Sequence, residues 1–165
     1  GYSLAIDRQG RLWAWGRGES GRLGTGNEDD QSRPVLIGGG YRSVTASTAQ
    51  SFAIGQDGML WAWGSNLLGQ LGDGTHEDRL SPVKIGSGYV AVAAGGAHAV
   101  GLQRDGSVWA WGSNGVGQLA DGSLDDRLRP ARIGRGYDFI GAAGAASTLA
   151  RRDGVLHMAG ARLLQ

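Results

Sequence analysis

The chain has 165 residues, a formal net charge of +1 and no cysteine, which excludes disulfides and thiolate metal sites. Its charged residues are scattered and not gathered into the basic stripe of nucleic-acid-binding domains, so we expect no nucleic-acid partner. No apolar run reaches the length of a membrane span, so we expect no membrane partner.

A four-residue sequence, Trp-Ala-Trp-Gly, recurs at residues 13–16, 61–64 and 109–112, an interval of 48 residues. The same interval separates further residues of each unit: Pro34, Pro82 and Pro130; Ile37, Ile85 and Ile133; Tyr41, Tyr89 and Tyr137. No insertion or deletion interrupts this register. The chain is therefore an array of repeats.

The first complete unit, residues 41–88, predicts four strands. Residues 41–46, 51–55 and 59–63 have the alternating pattern of strands, and Asp57-Gly58 is a hairpin turn signal between the second and the third. A glycine-rich loop follows, and residues 82–85 predict a short fourth strand. Pro82 fits an edge strand because it has no N–H to leave unpaired. Four strands in about 50 residues are typical of one β-propeller blade.

The sequence therefore predicts an all-β fold of propeller blades, each with four antiparallel strands, in a single repeat domain spanning residues 1–165. Two blades are complete, at 41–88 and 89–136. A partial blade at 1–40 lacks the first strand, and a partial blade at 137–165 lacks the fourth.

The Trp-Ala-Trp strand predicts how neighbouring blades pack. Trp61 and Trp63 project from one face of the strand, while Leu60 and Ala62 project from the other. A buried tryptophan removes on the order of 200 Å² from water, which stabilises the fold by at most about 5 kcal/mol. We therefore expect six tryptophans to hold the blades together: Trp13, Trp15, Trp61, Trp63, Trp109 and Trp111.

The segment around each Trp-Gly pair closely resembles the repeat of the regulator of chromosome condensation family. The second unit has Trp-Gly-Ser-Asn at residues 63–66 and Gly-Gln-Leu-Gly-Asp-Gly-Thr at 69–75, and residues 111–119 repeat much of this signature. The resemblance covers essentially the whole chain and implies a propeller that usually has seven blades. This chain would hold about half of such a ring. We expect a fragment of a longer propeller, or a half ring completed by self-association.

The terminal units depart from the family signature. In the first unit Gly18 stands in place of the asparagine, Arg22 in place of the glutamine and Thr25 in place of the aspartate. In the last unit His157 and Ala159 stand where the tryptophans should be. The last unit therefore has a weakened interblade face, serves as a cap, or is a degenerate repeat.

Loop tips vary between units while the surrounding residues are constant. The two central residues of the Asn-x-x-Gly loop are Glu19 and Ser20, Leu67 and Leu68, and Gly115 and Val116 in the three units. A second variable position holds Glu28, His76 and Leu124. Variation on a fixed scaffold is typical of partner recognition, so we expect these loops to bind another protein or another copy of the chain. Drift between repeats, or packing of Leu67 under the neighbouring loop, is the alternative.

Catalysis is the competing hypothesis: an enzyme, a hydrolase or a lyase, with its site on the axial face of the ring. Such a site needs acids or histidines that converge in one pocket. The three histidines do not cluster in the sequence, and the acid pairs at 29–30, 77–78 and 125–126 lie close to arginines, as in salt-bridged turns. We expect no catalytic residue, no metal site and no cofactor.

Two further hypotheses involve nucleotides, one a dinucleotide-binding site and the other nucleotide exchange. Residues 16–21 match the dinucleotide-binding pattern G-x-G-x-x-G, but neither the helix nor the later acid that such a site requires follows. The family resemblance implies guanine-nucleotide exchange on a small GTPase, or inhibition of a bacterial enzyme, as possible roles. The bacterial-looking Gly-Asp-Gly-Thr sequence makes exchange the less favoured of the two.

Overall fold

The computed structural model describes residues 1–143 and 146–160, the side chain of Ala143 excepted, and forms four antiparallel sheets. The first sheet contains β1 (Tyr2–Ile6), β2 (Leu12–Gly16) and β3 (Gln31–Gly38). The second contains β4 (Tyr41–Ala46), β5 (Gln50–Gly55), β6 (Leu60–Gly64) and β7 (Arg79–Gly86). The third contains β8 (Tyr89–Ala94), β9 (His98–Gln103), β10 (Val108–Gly112) and β11 (Arg127–Gly134). The fourth contains β12 (Phe139–Ala143), β13 (Ser147–Arg152) and β14 (Val155–Gly160).

The all-β fold of successive antiparallel sheets is confirmed, and each sheet is called a blade below. The predicted fourth strand is longer than expected, because β7 begins at Arg79 and not at Pro82. Pro82 lies where the ladder between β6 and β7 is irregular, between the pairs Ala62–Val83 and Gly64–Arg79. A proline is tolerated there because, at a bulge on an edge strand, no ladder hydrogen bond requires the backbone N–H that proline lacks.

One 3-10 turn, Glu19–Gly21, lies between β2 and β3. Within residues 1–143 and 146–160, no helix combines the length and the apolar character needed to cross a bilayer.

The first strands of successive blades, β4, β8 and β12, lie against one another. Side chains on or near these strands reach the backbone of the next blade: Thr45 Oγ1 of β4 donates to the Val92 carbonyl at 3.1 Å, and Gln50 Nε2, at the start of β5, donates to the Gly95 carbonyl at 3.0 Å. Small residues on these strands permit this close approach. The inner strands therefore form the line along which the blades converge.

Three apolar cores fill the spaces between blades. The core between the first and second blades contains Leu12, Tyr41, Ala53 and Trp63. The core between the second and third contains Phe52, Ile54, Leu60 and Ala62 on one side and Tyr89, Ala99 and Trp111 on the other. The core between the third and fourth contains Val100, Leu102, Val108, Ile140 and Ala150. Trp63 thus faces the preceding blade while Leu60 and Ala62 face the next one, as the period-two pattern predicts.

The last blade differs from the others in strand register. Gln50 pairs with Gly64 in the second blade and His98 with Gly112 in the third, but Ser147, one residue further on than the repeat predicts, pairs with Gly160. The cause is local: Asp153 and Gly154 form a two-residue turn with φ of 52° and 76°, the type I′ conformation. A slip of one residue exchanges the faces of a strand. Ala150 therefore packs against the third blade, and Leu149 does not.

Candidate partner-binding loops

Asn66 organises the loop of residues 65–78, which joins β6 to β7. Its buried amide nitrogen donates at 2.9–3.0 Å to three oxygens of the loop: Asp73 Oδ1, Thr75 O and Glu77 O. Its Oδ1 accepts from the N–H of Leu71 at 3.0 Å. Asn114 makes equivalent bonds in the loop of residues 113–126. One buried amide thus fixes the path of a long loop that has no regular secondary structure.

Asp73 is the anionic centre of the same loop. Arg79 Nε lies 2.6 Å from Asp73 Oδ2, and Thr75 donates to Asp73 Oδ1 from both its N–H and its hydroxyl. Burial raises the pKa of Asp73, but the hydrogen bonds from Arg79 and Thr75 outweigh burial and lower the pKa from its ordinary value. Arg127 and Asp121 form the equivalent pair at 3.0 Å.

The second acids of the acid pairs have a different role from the salt-bridged turns expected from the sequence. The second acid of each pair accepts from the backbone N–H at the start of its loop: Asp30 from Gly18, Asp78 from Asn66 and Asp126 from Asn114, at 2.8–2.9 Å. Of the first acids, Glu77 lies 3.8 Å from Arg79, a longer separation than that between Arg79 and Asp73. These carboxylates close the loops on themselves.

Loop 65–78 also joins the second blade to the third. Leu71 is buried in the core between these blades, and Trp111 Nε1 donates to the Gln70 carbonyl at 3.0 Å. A side chain on Gly72 would lie 2.8 Å from the Trp111 ring, so only glycine fits. Gly74 N–H donates to the Leu128 carbonyl of the third blade at 2.9 Å. Gly69, Leu71 and Gly74 are the same in all three units. We call the following residues of this loop the loop frame: Asn66, Gly69, Gln70, Leu71, Gly72, Asp73 and Gly74.

The first and second blades are joined in the same way. Trp63 Nε1 donates to the Arg22 carbonyl at 3.0 Å, and Leu23 is buried. Trp63 and Trp111 are the fully buried tryptophans among those singled out in the sequence. The other four are half-buried: Trp13, Trp15, Trp61 and Trp109. Trp13 Nε1 donates to Asp7 at 3.0 Å within its own blade, which holds the pKa of Asp7 well below its ordinary range.

Leu80 and Leu128 were missed by sequence reasoning, although each receives a loop of the preceding blade. Gly26 N–H donates to the Leu80 carbonyl at 2.9 Å, as Gly74 does to Leu128. The sequence feature that could have identified them is a leucine at both positions, 48 residues apart, in a segment without an evident role in the core. Because of these contacts, the loops of successive blades follow one another along one rim of the molecule.

The variable residues lie at the exposed tips of these loops. Leu67 is 73% exposed and Leu68 40% exposed in the second blade, and Val116 is 51% exposed and Leu124 67% exposed in the third. Gly115 and Glu19 are also exposed, and Ser20 is half-buried. The alternative that Leu67 packs under a neighbouring loop is therefore wrong.

The two variable positions of each loop lie side by side. His76 Nδ1 is 2.9 Å from the Leu67 carbonyl oxygen, and Ser20 N–H donates to Glu28 Oε1 at 2.8 Å. In the third blade Leu124 lies beside Gly117, next to Val116. We call these nine residues the tip residues: Glu19, Ser20, Glu28, Leu67, Leu68, His76, Gly115, Val116 and Leu124. Three tips along one rim form a discontinuous surface with two apolar patches.

The histidines occupy unrelated places. His98 is buried on β9, His76 lies in an exposed loop and His157 lies exposed on β14. In the part of the chain that the structure describes, no three His, Asp or Glu side chains are grouped so that they could hold a metal ion.

Comparisons with known proteins agree with these features. Models of the regulator of chromosome condensation (RCC1) repeat match residues 9–55, 57–102 and 105–150, and a second model of this repeat matches 89–118. Human E3 ubiquitin-protein ligase HERC2 is 50% identical over 38 residues, which are 23% of this chain and 1% of that protein. Human protein RCC2 is 44% identical over 48 residues, 29% of this chain and 9% of that protein.

Solved structures show the fold. Yeast RCC1 (Prp20), in a crystal structure with Kap60 bound, has a TM-score of 0.83 at 20% identity, covering 96% of this chain and 41% of that chain. Human WBSCR16 has a TM-score of 0.84 at 22% identity, covering 96% of this chain and 44% of that chain. The chain thus spans less than half the length of these structures and forms a partial propeller.

Proposed function

The chain belongs to the RCC1 repeat family, and from that premise we propose that it is a protein-interaction module whose tip residues contact the partner. The observation that carries this proposal is the exposure of apolar side chains on loops whose path is otherwise fixed. Leu67 and Leu124 are more than 60% exposed, while Leu71 and Leu119, in the same two loops, are buried.

The physical argument rests on the cost of ordering a binding loop. A loop that is already fixed by Asn66, Asp73 and the joint to the next blade loses little conformational freedom when a partner binds. Apolar side chains held in this way are suited to act as anchors, since burying them removes their surface from water. The tips can also change between units with little effect on the cores, because Leu67, Val116 and Leu124 are exposed and belong to none of the three apolar cores.

Related proteins support a protein as the partner. The yeast RCC1 structure has Kap60 bound, and the work on yeast Prp20p describes its binding properties to Gsp1p and histones. Those partners are properties of those proteins. For this chain they favour a protein ligand over a catalytic role, and the tips, which differ between the three units, set the identity of the partner. Guanine-nucleotide exchange is not favoured, because no residue here carries that role by motif.

Site-specific cross-linking tests the proposal. A photoreactive p-benzoylphenylalanine placed at Leu67 or at Leu124 should cross-link to the partner in cells that express the full chain. The matched control is Val90, an exposed apolar residue of β8 that lies outside the tip loops. Equal cross-linking of one protein from positions 67, 124 and 90, or cross-linking from position 90 alone, would refute the assignment of the partner to the tips.

Self-association is a second candidate function, favoured by the outer face of the last blade. Phe139, Leu156 and Met158 are between 46% and 59% exposed there. Every other blade covers the equivalent face with its successor, so this face is suited to pack against another blade. A second copy of this chain is one source of that blade, and a later part of a longer protein is the other.

A further inference from the structure

A cavity of about 130 Å³ lies between the third and fourth blades. Its lining includes Val108 and Ile133 from the third blade and Thr148, Ala150 and Ala159 from the fourth. His157 and Met158 also line it and are exposed, so the cavity reaches the surface at the edge of the last blade. The joints between the earlier blades are filled by large aromatic side chains at the equivalent place.

The group that is missing at this joint, compared with the earlier joints, is an indole side chain. Trp63 and Trp111 occupy this place at the two earlier joints, fully buried, and each donates its Nε1–H to a carbonyl oxygen of the preceding blade. The equivalent residue of the last blade, 48 residues after Trp111, is Ala159. The preceding loop is nevertheless in its usual position, since a side chain on Gly160 would lie 3.0 Å from Gln118 Cβ. The joint therefore has the loop and strands of the earlier joints around it but lacks the indole ring at its centre.

A second residue difference accompanies the alanine at position 159. Gly24 and Gly72 lie against the indoles of Trp63 and Trp111, where a Cβ would come within 2.9 Å and 2.8 Å of the ring. The equivalent residue before the last blade is Ala120, which keeps the left-handed backbone with φ of 58°. Alanine fits there because no indole opposes it, and it lines the cavity. Loss of the tryptophan and loss of the glycine thus occur together at one joint.

The cavity also contains a buried hydroxyl that lacks a partner. Thr148 is 3% exposed, and within the described residues its Oγ1 has no hydrogen-bonding partner. A buried hydroxyl without a hydrogen bond destabilises the fold, and a ligand that forms a hydrogen bond with it offsets this loss of free energy. Thr148 lines the cavity, so a ligand inside is the group best placed to do so. The one-residue register slip of β13 is what turns this side chain toward the third blade.

We propose that this cavity binds a small planar aromatic molecule of indole size, whose N–H donates a hydrogen bond to Thr148 Oγ1. The apolar walls contact the ring faces, as the equivalent residues Leu12 and Leu60 pack with Trp63 and Trp111 at the earlier joints. Apolar cavities of about this size bind ring compounds such as benzene in other proteins. The exposed edge beside His157, which contacts Tyr137 edge-on at 6.2 Å, is the entrance.

Calorimetric titration with two matched probes tests the proposal. Indole has the N–H, and indene has the same bicyclic shape without it. The wild-type chain should bind indole about fivefold more tightly than indene, since one net hydrogen bond contributes about that factor. Thr148→Val keeps the shape of the side chain and should abolish the preference for indole. The double variant Ala120→Gly/Ala159→Trp fills the cavity and should weaken binding of both probes more than tenfold.

Two results would overturn the proposal. One is the absence of saturable indole binding to the wild-type chain, and the other is unchanged indole affinity in the filled variant. Should the filled variant fail to fold, the comparison of indole with indene in Thr148→Val decides the matter alone, because a preference that survives removal of the hydroxyl contradicts the proposed contact.

Discussion

Asn66 and Asn114 are single residues on which long loops depend. Each is fully buried and bonds to groups contributed by both halves of its loop. Truncating either asparagine to alanine leaves several of these loop groups without a hydrogen-bonding partner in a place that water does not reach freely. The family signature singled out both asparagines, but not the bonds they make, because the bonds depend on a loop path that no local pattern specifies.

Replacing Asn66 with alanine should lower the free energy of unfolding by about 2–3 kcal/mol, the cost of stranding buried polar groups. Urea denaturation followed by tryptophan fluorescence measures the change. Glu77→Ala is the matched control in the same loop, and its exposed side chain should contribute less than about 0.5 kcal/mol. Equal effects of the two substitutions would show that the amide network does not hold the loop.

Acid should destabilise the chain through Asp73. The pKa of Asp73 is lowered in the folded state, so its contribution is fully present above the unfolded pKa of about 4 and is lost as the pH falls through the folded value. The melting temperature, followed by circular dichroism from pH 7 downward, should therefore fall below about pH 4. Asp73→Asn should melt lower at pH 7 and depend less on acid. An unaltered acid dependence in this variant would contradict the role of Asp73.

At the scale of the element, β14 is the strand that departs most from the repeat. It carries His157 and Ala159 where β6 and β10 carry tryptophans, and it has no indole bond to the preceding blade. The 48-residue repeat predicted a third strand in the last unit, and β14 is that strand. The repeat did not predict the register, because Asp57-Gly58, Asp105-Gly106 and Asp153-Gly154 look alike in sequence while only the last forms a two-residue turn. The register is set by the conformation of this turn, which the shared Asp-Gly pair does not specify.

The same element offers a test of the matched substitutions at the last joint. Ala159→Trp alone should gain little stability, because the indole meets the Cβ of Ala120. Adding Ala120→Gly removes that contact and relieves an alanine in the left-handed conformation, which itself costs about 1–2 kcal/mol. The double-mutant cycle should show a favourable coupling of about 1–3 kcal/mol in urea denaturation. Strict additivity of the two substitutions would mean that residues 120 and 159 do not meet.

At the scale of the whole molecule, the fold was the most predictable feature. The repeat interval, the Trp-Ala-Trp strands and the family signature together predicted the all-β blades, and the structure confirms a partial propeller. The tip residues were also found from the sequence, but only as variable positions. That Leu67 and Leu124 are exposed while Leu71 and Leu119 are buried follows from the loop path and the neighbouring blade. The division of the chain into the proposed blade segments within one domain stays a prediction.

The exposed apolar face of the last blade is the surface through which we propose that copies of the chain associate. If copies associate through this face, sedimentation velocity should show a larger species whose fraction rises with concentration. Leu156→Lys/Met158→Lys should restore the monomer by placing charges on this face, while Val90→Lys, on β8, should not. A wild-type chain that stays monomeric at high concentration would assign the face instead to a blade of a longer protein.

We propose that the loop frame holds the blades together while the tip residues bind the partner. The most direct test of this proposal is the dissociation constant for the protein recovered by cross-linking, measured with the wild type and with Leu67→Asp/Leu124→Asp. The substituted side chains are exposed, so unfolding should change by less than about 0.5 kcal/mol per site. We expect the double variant to bind at least tenfold more weakly at nearly unchanged stability. Unchanged affinity in this variant would contradict the account.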